Sequence, residues 1–171
     1  CENTRVFSVA ESEAATIEAT EVIDFSDPNN ITVTISGIGN YLYQLDDGEP
    51  QESNFFDNVG MGYHTVTIID LNGCSEVTRD VLVIDIPKHM SPNGDGHYDT
   101  WHIVGVETLP GTIIHIFDRY GKHLATLKHN SLGWDGTLNG LNLPASDYWF
   151  VANVVRGNQS FEVKGHFALR R

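Results

Sequence analysis

The chain has 171 residues, enough for one or two domains, and at 40% hydrophobic and 19% charged it can bury a core. Its formal net charge of −13 excludes a phosphate-tracking surface, since nucleic acid as partner requires clustered Lys and Arg. No apolar run approaches the length of a membrane helix, so no direct membrane span is expected. The chain opens at Cys1 without a Met start or a charged-then-apolar leader, as a fragment or a processed product would. The charge is unevenly placed. Residues 1–86 carry 16 Asp+Glu against 2 Lys+Arg, a balance of −14, whereas residues 87–171 carry 7 against 8, a balance of +1. Seven of the eight histidines and all three tryptophans lie in the second half. This shift sets an expected boundary at Ile86-Pro87 and two domains, 1–86 and 87–171.

In chain order, almost every segment alternates with period two. TRVFSVA (4–10), ATIEATEVI (15–23), ITVTISGI (31–38), NYLYQLDD (40–47), HTVTIIDLNG (64–73) and EVTRDVLVIDI (76–86) read as strands. DPNN (27–30), DDGEP (46–50), NVGMG (58–62) and LNGC (71–74) supply the turns between them. In 31–36, Ile31, Val33 and Ile35 face a core while Thr32, Thr34 and Ser36 face water. Residues 12–21 have some helical propensity, but β-branched Thr16 and Ile17 and the flanking strands favour an edge strand with a loop. Asp46-Asp47-Gly48 is expected to close a hairpin. In the second half TWHIVGV (100–106), TIIHIFDRYG (112–121) and GKHLATLKH (121–129) read as strands. A long Gly- and Asn-rich connection (129–147) leads to two final strands around Arg156-Gly157-Asn158. Turn signals at this spacing predict an all-β chain of two immunoglobulin-like β-sandwiches in tandem.

Both cysteines sit in the acidic half. Cys1 and Cys74 read as a disulfide and hence an oxidising compartment, with two free buried thiols or an acylated Cys1 as alternatives. In SPNGDGHYDTW (91–101), Asn93, Asp95, the His97 carbonyl and Asp99 have the alternate spacing of a calcium loop, and Gly96 has the turn position. Position 102 is His, where an EF-hand needs a bidentate Glu, so that motif fails. The competing reading is that Asn93 and Asp95 cap the loop's own amides while the glycines take positive φ. His97, His102, His115, His123 and His129 lack zinc-motif spacing and read as scattered surface residues, although His115 and His123 return towards each other across a hairpin. Trp101, Tyr148 and Trp149 read as core packing, with an aromatic sugar platform as the alternative. No G-x-S-x-G, activated Cys or paired-carboxylate arrangement points to an enzyme.

Four separated motifs of the second half occur in one order. They are Pro92-Asn93-Gly94-Asp95-Gly96 with Asp99 and Trp101; Phe117-Asp118-Arg119 with Gly121; Trp134-Asp135-Gly136 with Asn139-Gly140; and Lys164-Gly165 with Leu169-Arg170-Arg171. Residues 87–171 thereby closely resemble the type B C-terminal sorting domain of proteins exported by the type IX secretion system of Bacteroidetes, many of them associated with gliding motility. One departure is Ala145-Ser146-Asp147-Tyr148, where that family typically has D-G-T-Y. Residues 43–48 and 62–74 resemble the immunoglobulin-like modules that precede this domain in surface adhesins.

The resemblance implies an export signal and outer-membrane docking element on the last stalk module of a secreted cell-surface protein, a gliding adhesin, routed through the periplasm. The implied partners are the type IX translocation machinery and a porin-like outer-membrane β-barrel. A physical route to docking is strand addition along the last strand, with Phe167 and Leu169 as pocket anchors, Lys164 and Gly165 in the paired stretch, and Arg170-Arg171 meeting acidic groups. The alternative function is a calcium- or glycan-dependent extracellular adhesive module.

Overall fold

The computed structural model describes residues 4–5, 11–73 and 76–171. The Cys1–Cys74 pairing and most of the strand predicted over 4–10 lie outside the described residues. The described chain is all-β, as its period-two patterning predicts, and its contacts divide it into two compact units. One comprises Cys1–Ile23 and Asp27–Leu82; the other comprises Val83–Arg171 together with Asp24–Ser26.

The first unit is built from two three-stranded sheets. Strands β1 (Thr16–Ile23), β2 (Asn29–Ser36) and β4 (Phe55–Val59) form one in the order β1-β2-β4, with β1 at its edge. Strands β3 (Tyr41–Leu45), β5 (Gly62–Asp70) and β6 (Glu76–Val83) form the other in the order β3-β5-β6. The inward alternation is that of the sequence: Ile31, Val33, Val66 and Ile68 are at most 1% exposed, while Thr34 and Ser36 face water. The turn at Asp46 closes on a single bridge, Tyr43 to Gln51, after which the chain crosses to the other sheet as β4. Asp46 takes φ 50 there, and its carboxylate accepts from Thr65 N (2.8 Å) and pairs with His64 Nδ1 (2.7 Å).

The second unit has one principal sheet. Strands β7 (His89–Met90), β8 (Ile113–Phe117), β9 (His123–Lys128), β12 (Ser146–Arg156) and β13 (Gln159–Leu169) take the order β7-β13-β12-β8-β9. A small ribbon of β10 (Thr137–Leu138) and β11 (Leu141–Asn142) stands apart. Ile114, Ile116, Phe150, Ala152, Val154 and Phe167 form the buried face, each at most 1% exposed. Two expectations are corrected here. TWHIVGV is not a strand: Trp101 bridges Trp134, Val104 bridges Asp85, and a 3-10 turn covers Val106–Thr108 after Gly105 at φ 79. Trp101, Ile103 and Val106 all bury in this irregular segment, so its apolar residues cover the sheet rather than join it. Trp149 is not core. It is 41% exposed while its neighbour Tyr148 is 3% exposed, because successive residues of a strand point to opposite faces.

Candidate functional site

The loop 91–101 is closed by its own side chains. Asp99 Oδ1 accepts from Asn93 N (2.9 Å) and Gly94 N (2.6 Å), and Oδ2 accepts from Gly96 N (2.8 Å). Asp95 Oδ1 accepts from His97 N (2.7 Å), its Oδ2 accepts from Asn93 Nδ2 (2.8 Å), and Asn93 Oδ1 accepts from Asp95 N (3.0 Å). Gly94 and Gly96 sit at φ 82 and 86, which a side chain would resist. The amide bonds from Gly94 and Gly96 hold the Asp99 carboxyl below its usual range, and the Asn93 side chain does the same for Asp95. Both carboxylates point inward onto N–H donors, the arrangement of the backbone-capping reading. A cation would need those oxygens turned outward. Among the described residues, no group of three or more His, Cys, Asp or Glu is placed to hold a metal ion.

The loop delivers Trp101, and the other motifs converge on it. Trp101 and Trp134 exchange backbone hydrogen bonds (2.8 and 2.9 Å), and Trp101 Nε1 donates to Pro87 O (2.9 Å). The Trp101 ring stacks on Phe167 at 4.0 Å and 10°, and lies 5.0 Å from Phe150. Trp134 meets Phe167 and Tyr148 edge-on. In the loop after Trp134, Asp135 Oδ1 accepts from Thr137 N (3.0 Å) and Oγ1 (2.8 Å). Asn139 and Gly140, at φ 52 and 77, close the β10–β11 ribbon as a turn with two positive φ values. Asp118 closes the β8–β9 hairpin by accepting from Tyr120 N (2.8 Å) and Lys122 N (2.9 Å), with Gly121 at φ 80 and the Arg119 guanidinium over the Tyr120 ring. Gly165 has a packing reason: a Cβ there would stand 3.1 Å from Phe150 Cε1. Gly136 has two, since it sits at φ 77 and a Cβ would stand 3.0 Å from Arg171 Nη2.

The terminal strand carries the predicted docking residues, and their placement changes the docking picture. Phe167 and Leu169 are 0% and 2% exposed and belong to the core, so they are not free anchors for a partner's pockets. The end of the strand is already paired: β7 lies parallel to it at Ala168 and Leu169, and Arg170 N donates to Met90 O (2.9 Å). Arg171 is exposed, but its Nη2 donates to Gly136 O (3.0 Å). Arg170 and Lys164 are exposed, and Lys164 pairs loosely with Glu162 at 3.7 Å, a contact of little energetic weight.

The open part of the edge lies earlier. All of β13 pairs with β12, from Arg156↔Gln159 to Ser146↔Leu169. Among the described residues, β7 covers its other edge only at Ala168 and Leu169. Ala168 and Arg170 turn their N–H groups towards β7 (Ala168 N to Lys88 O, 3.0 Å). By strand alternation Ser160, Glu162, Lys164 and His166 aim their backbone groups at the same edge, ahead of the point where β7 begins. This parity is present in the sequence. Which edge β7 would cover, and how far, is not.

Burial lowers the His102 pKa. Its Nε2 meets Lys128 O at 3.1 Å, and among the described residues its buried Nδ1 has no hydrogen-bond partner. A shallow concavity of about 600 Å³ beside it is lined by Tyr98, Glu107, His129 and Leu132 among others.

The CHU_C type IX secretion signal domain model matches residues 84–169. Among solved structures, the chain is similar to a dimeric latent PorU from Porphyromonas gingivalis, with 14% identity and a TM-score of 0.31 over 91% of this chain and 20% of that one. It is also similar to the BSP domain of a biofilm-associated protein, with 12% identity and a TM-score of 0.28 over 88% of this chain and 29% of that one. The chain thus spans less than a third of either of these structures. No curated protein matches it.

Proposed function

We propose, for a chain that belongs to the CHU_C type IX secretion signal domain family, that its second unit is read by the export machinery along the open edge of β13. A type IX signal implies contact with that machinery and export to the cell surface or medium. The finer reading adds retention at the outer membrane through a porin-like β-barrel, with the first unit as an immunoglobulin-like stalk module of a gliding adhesin and no catalysis by this chain.

The observation that carries the edge reading is the half-covered terminal strand. Four residues, Ser160, Glu162, Lys164 and His166, present backbone donors and acceptors in register, and their side chains stay on the outer sheet face. A partner strand adding there gains main-chain hydrogen bonds without displacing core side chains. Deleting the last residues would not test this, because it removes Phe167 and Leu169 from the core.

Lys164→Pro does test it. Proline removes one outward N–H and obstructs the edge, and it is tolerated where the N–H faces solvent, so the β12 ladder survives. The experiment fuses the full chain behind a periplasm-directed reporter in a type IX-competent bacterium. The reading expects wild type at the surface or in the medium and Lys164→Pro held in the periplasm with an unchanged urea midpoint. Export of a folded Lys164→Pro at the wild-type level would rule the edge out.

A further inference from the structure

The β8–β9 hairpin brings together two histidines that belong to none of the family motifs. His115 Nδ1 lies 3.0 Å from Thr126 Oγ1, and His123 Nε2 lies 2.9 Å from the same oxygen. The two rings are 5.5 Å apart, and Phe117 stands against both, at 6.4 Å from His115 and 5.6 Å from His123.

A break in register produces this convergence. His115 pairs with Thr126 and Ile116 with Ala125, but Phe117 pairs with His123, so Leu124 is an extra residue. In an unbroken ladder His123 would face the opposite side of the sheet from Thr126. The bulge turns it onto the outer face with His115, Phe117 and Thr126. His123 and Thr126 are exposed, and His115 is half-buried.

We propose that His115 Nδ1 and His123 Nε2 form a two-histidine site for a late first-row divalent ion, Cu²⁺ above Ni²⁺ or Zn²⁺. Imidazole suits these ions, and the order follows their general affinity for nitrogen ligands. Both nitrogens lie within one hydrogen bond of Thr126 Oγ1, so turning that hydroxyl aside lets the two rings converge on an ion at the ~2.1 Å of a metal–imidazole bond. A hydroxyl has one proton, so at least one of the two rings donates an N–H to Thr126. Binding requires any ring that donates through its ligating nitrogen to carry its proton on the other nitrogen instead, which costs no net proton. Water fills the remaining positions on this open face. By register Lys128 and Lys164 share this face, Lys164 beside Glu162, and among the described residues no carboxylate joins the two rings. The site therefore selects for imidazole affinity and against Ca²⁺ or Mg²⁺. Because β9 is the edge of the sheet, the ion ties the edge strand to its neighbour and stabilises the folded form by mass action.

The test titrates the full chain with CuCl₂, NiCl₂ and ZnCl₂ by calorimetry at neutral pH, and compares wild type with His115→Ala, His123→Ala and the control His97→Ala. The proposal expects one tight site, Cu²⁺ tightest. Loss of a direct ligand should weaken it by more than the roughly 10–100-fold that outer-shell changes cost, whichever histidine is removed. His97→Ala should bind as wild type. Substoichiometric Cu²⁺ should first broaden the ring signals of His115 and His123 in the NMR spectrum. Wild-type affinity in either single variant, loss in His97→Ala, or even broadening over all exposed histidines would overturn it. Both hairpin variants are checked for an unchanged tryptophan unfolding midpoint, so a lost site is not mistaken for a lost fold.

Discussion

Phe167→Ala separates a core role for the terminal strand from a docking role. Phe167 is 0% exposed and stacks flat on Trp101 at 4.0 Å, with Trp134 edge-on at 5.9 Å and Tyr148 at 6.3 Å. Removing a buried Phe costs about 3–5 kcal/mol, the transfer free energy plus the cavity left behind. Here the upper part of that range applies. The cavity walls are three rings whose partners are fixed: Trp101 by Pro87 O, Trp134 by Thr137 O and Tyr148 by Pro144 O. None can swing in without breaking a hydrogen bond, so collapse is poor. Native domains have only about 5–15 kcal/mol in total, so this is a large fraction of the second unit's stability.

Urea unfolding followed by tryptophan fluorescence is the assay, because all three tryptophans lie in residues 87–171 and report on that unit alone. With an m-value of about 1–3 kcal/mol/M, the midpoint should fall by at least ~1 M. A loss under about 1 kcal/mol with export abolished would refute the packing argument and restore Phe167 as a partner anchor.

Other substitutions probe the remaining motifs. Gly165→Val should destabilise the unit by about 1–3 kcal/mol, because its Cβ falls 3.1 Å from the Phe150 ring and overpacks the sheet; a urea midpoint equal to wild type would contradict this. Gly136→Ala should cost about 1 kcal/mol or more from its positive φ and its contact with Arg171, read in the same melt. Asp95 and Asp99 have folded pKa values lowered from 3.8, so their stabilisation is complete above that value and is lost as pH falls through the lower folded values. The acid limb of a stability–pH curve should therefore flatten in Asp99→Asn, and an unchanged limb would count against the capping geometry. With those carboxylates turned inward, adding Ca²⁺ or chelator should leave the melting temperature unmoved.

Much of this was legible because strands announce themselves by parity. Ile31 and Val33 bury and Thr34 does not, as alternation alone requires. Asn139-Gly140 and Asp118 with Gly121 carry turn chemistry that the backbone follows. The misreadings have physical causes. Tyr148 and Trp149 both lie in an alternating strand, but period two separates adjacent residues, so Tyr148 buries and Trp149 does not. TWHIVGV has strand composition, but Gly105 in the left-handed region ends extension there, and the segment packs across the sheet instead. Phe167 and Leu169 share one face by parity; that the face is fully covered depends on Trp101 and Trp134, which are distant in sequence. The bulge at Leu124 has no local signature, since a register break is fixed by both strands together. Nor does the sequence reveal that Asp24 belongs with the second unit, where it pairs with Arg156 at 2.5 Å and accepts from Ile84 N at 2.8 Å.

The central claim is that this chain carries a type IX address. The direct measurement places a periplasm-directed fluorescent reporter ahead of the full chain and follows it in a type IX-competent bacterium and in an isogenic strain lacking the translocon. The account predicts reporter at the surface or in the medium in the first strain and in the periplasm in the second. Periplasmic reporter in both strains, with the second unit shown to be folded, would contradict it.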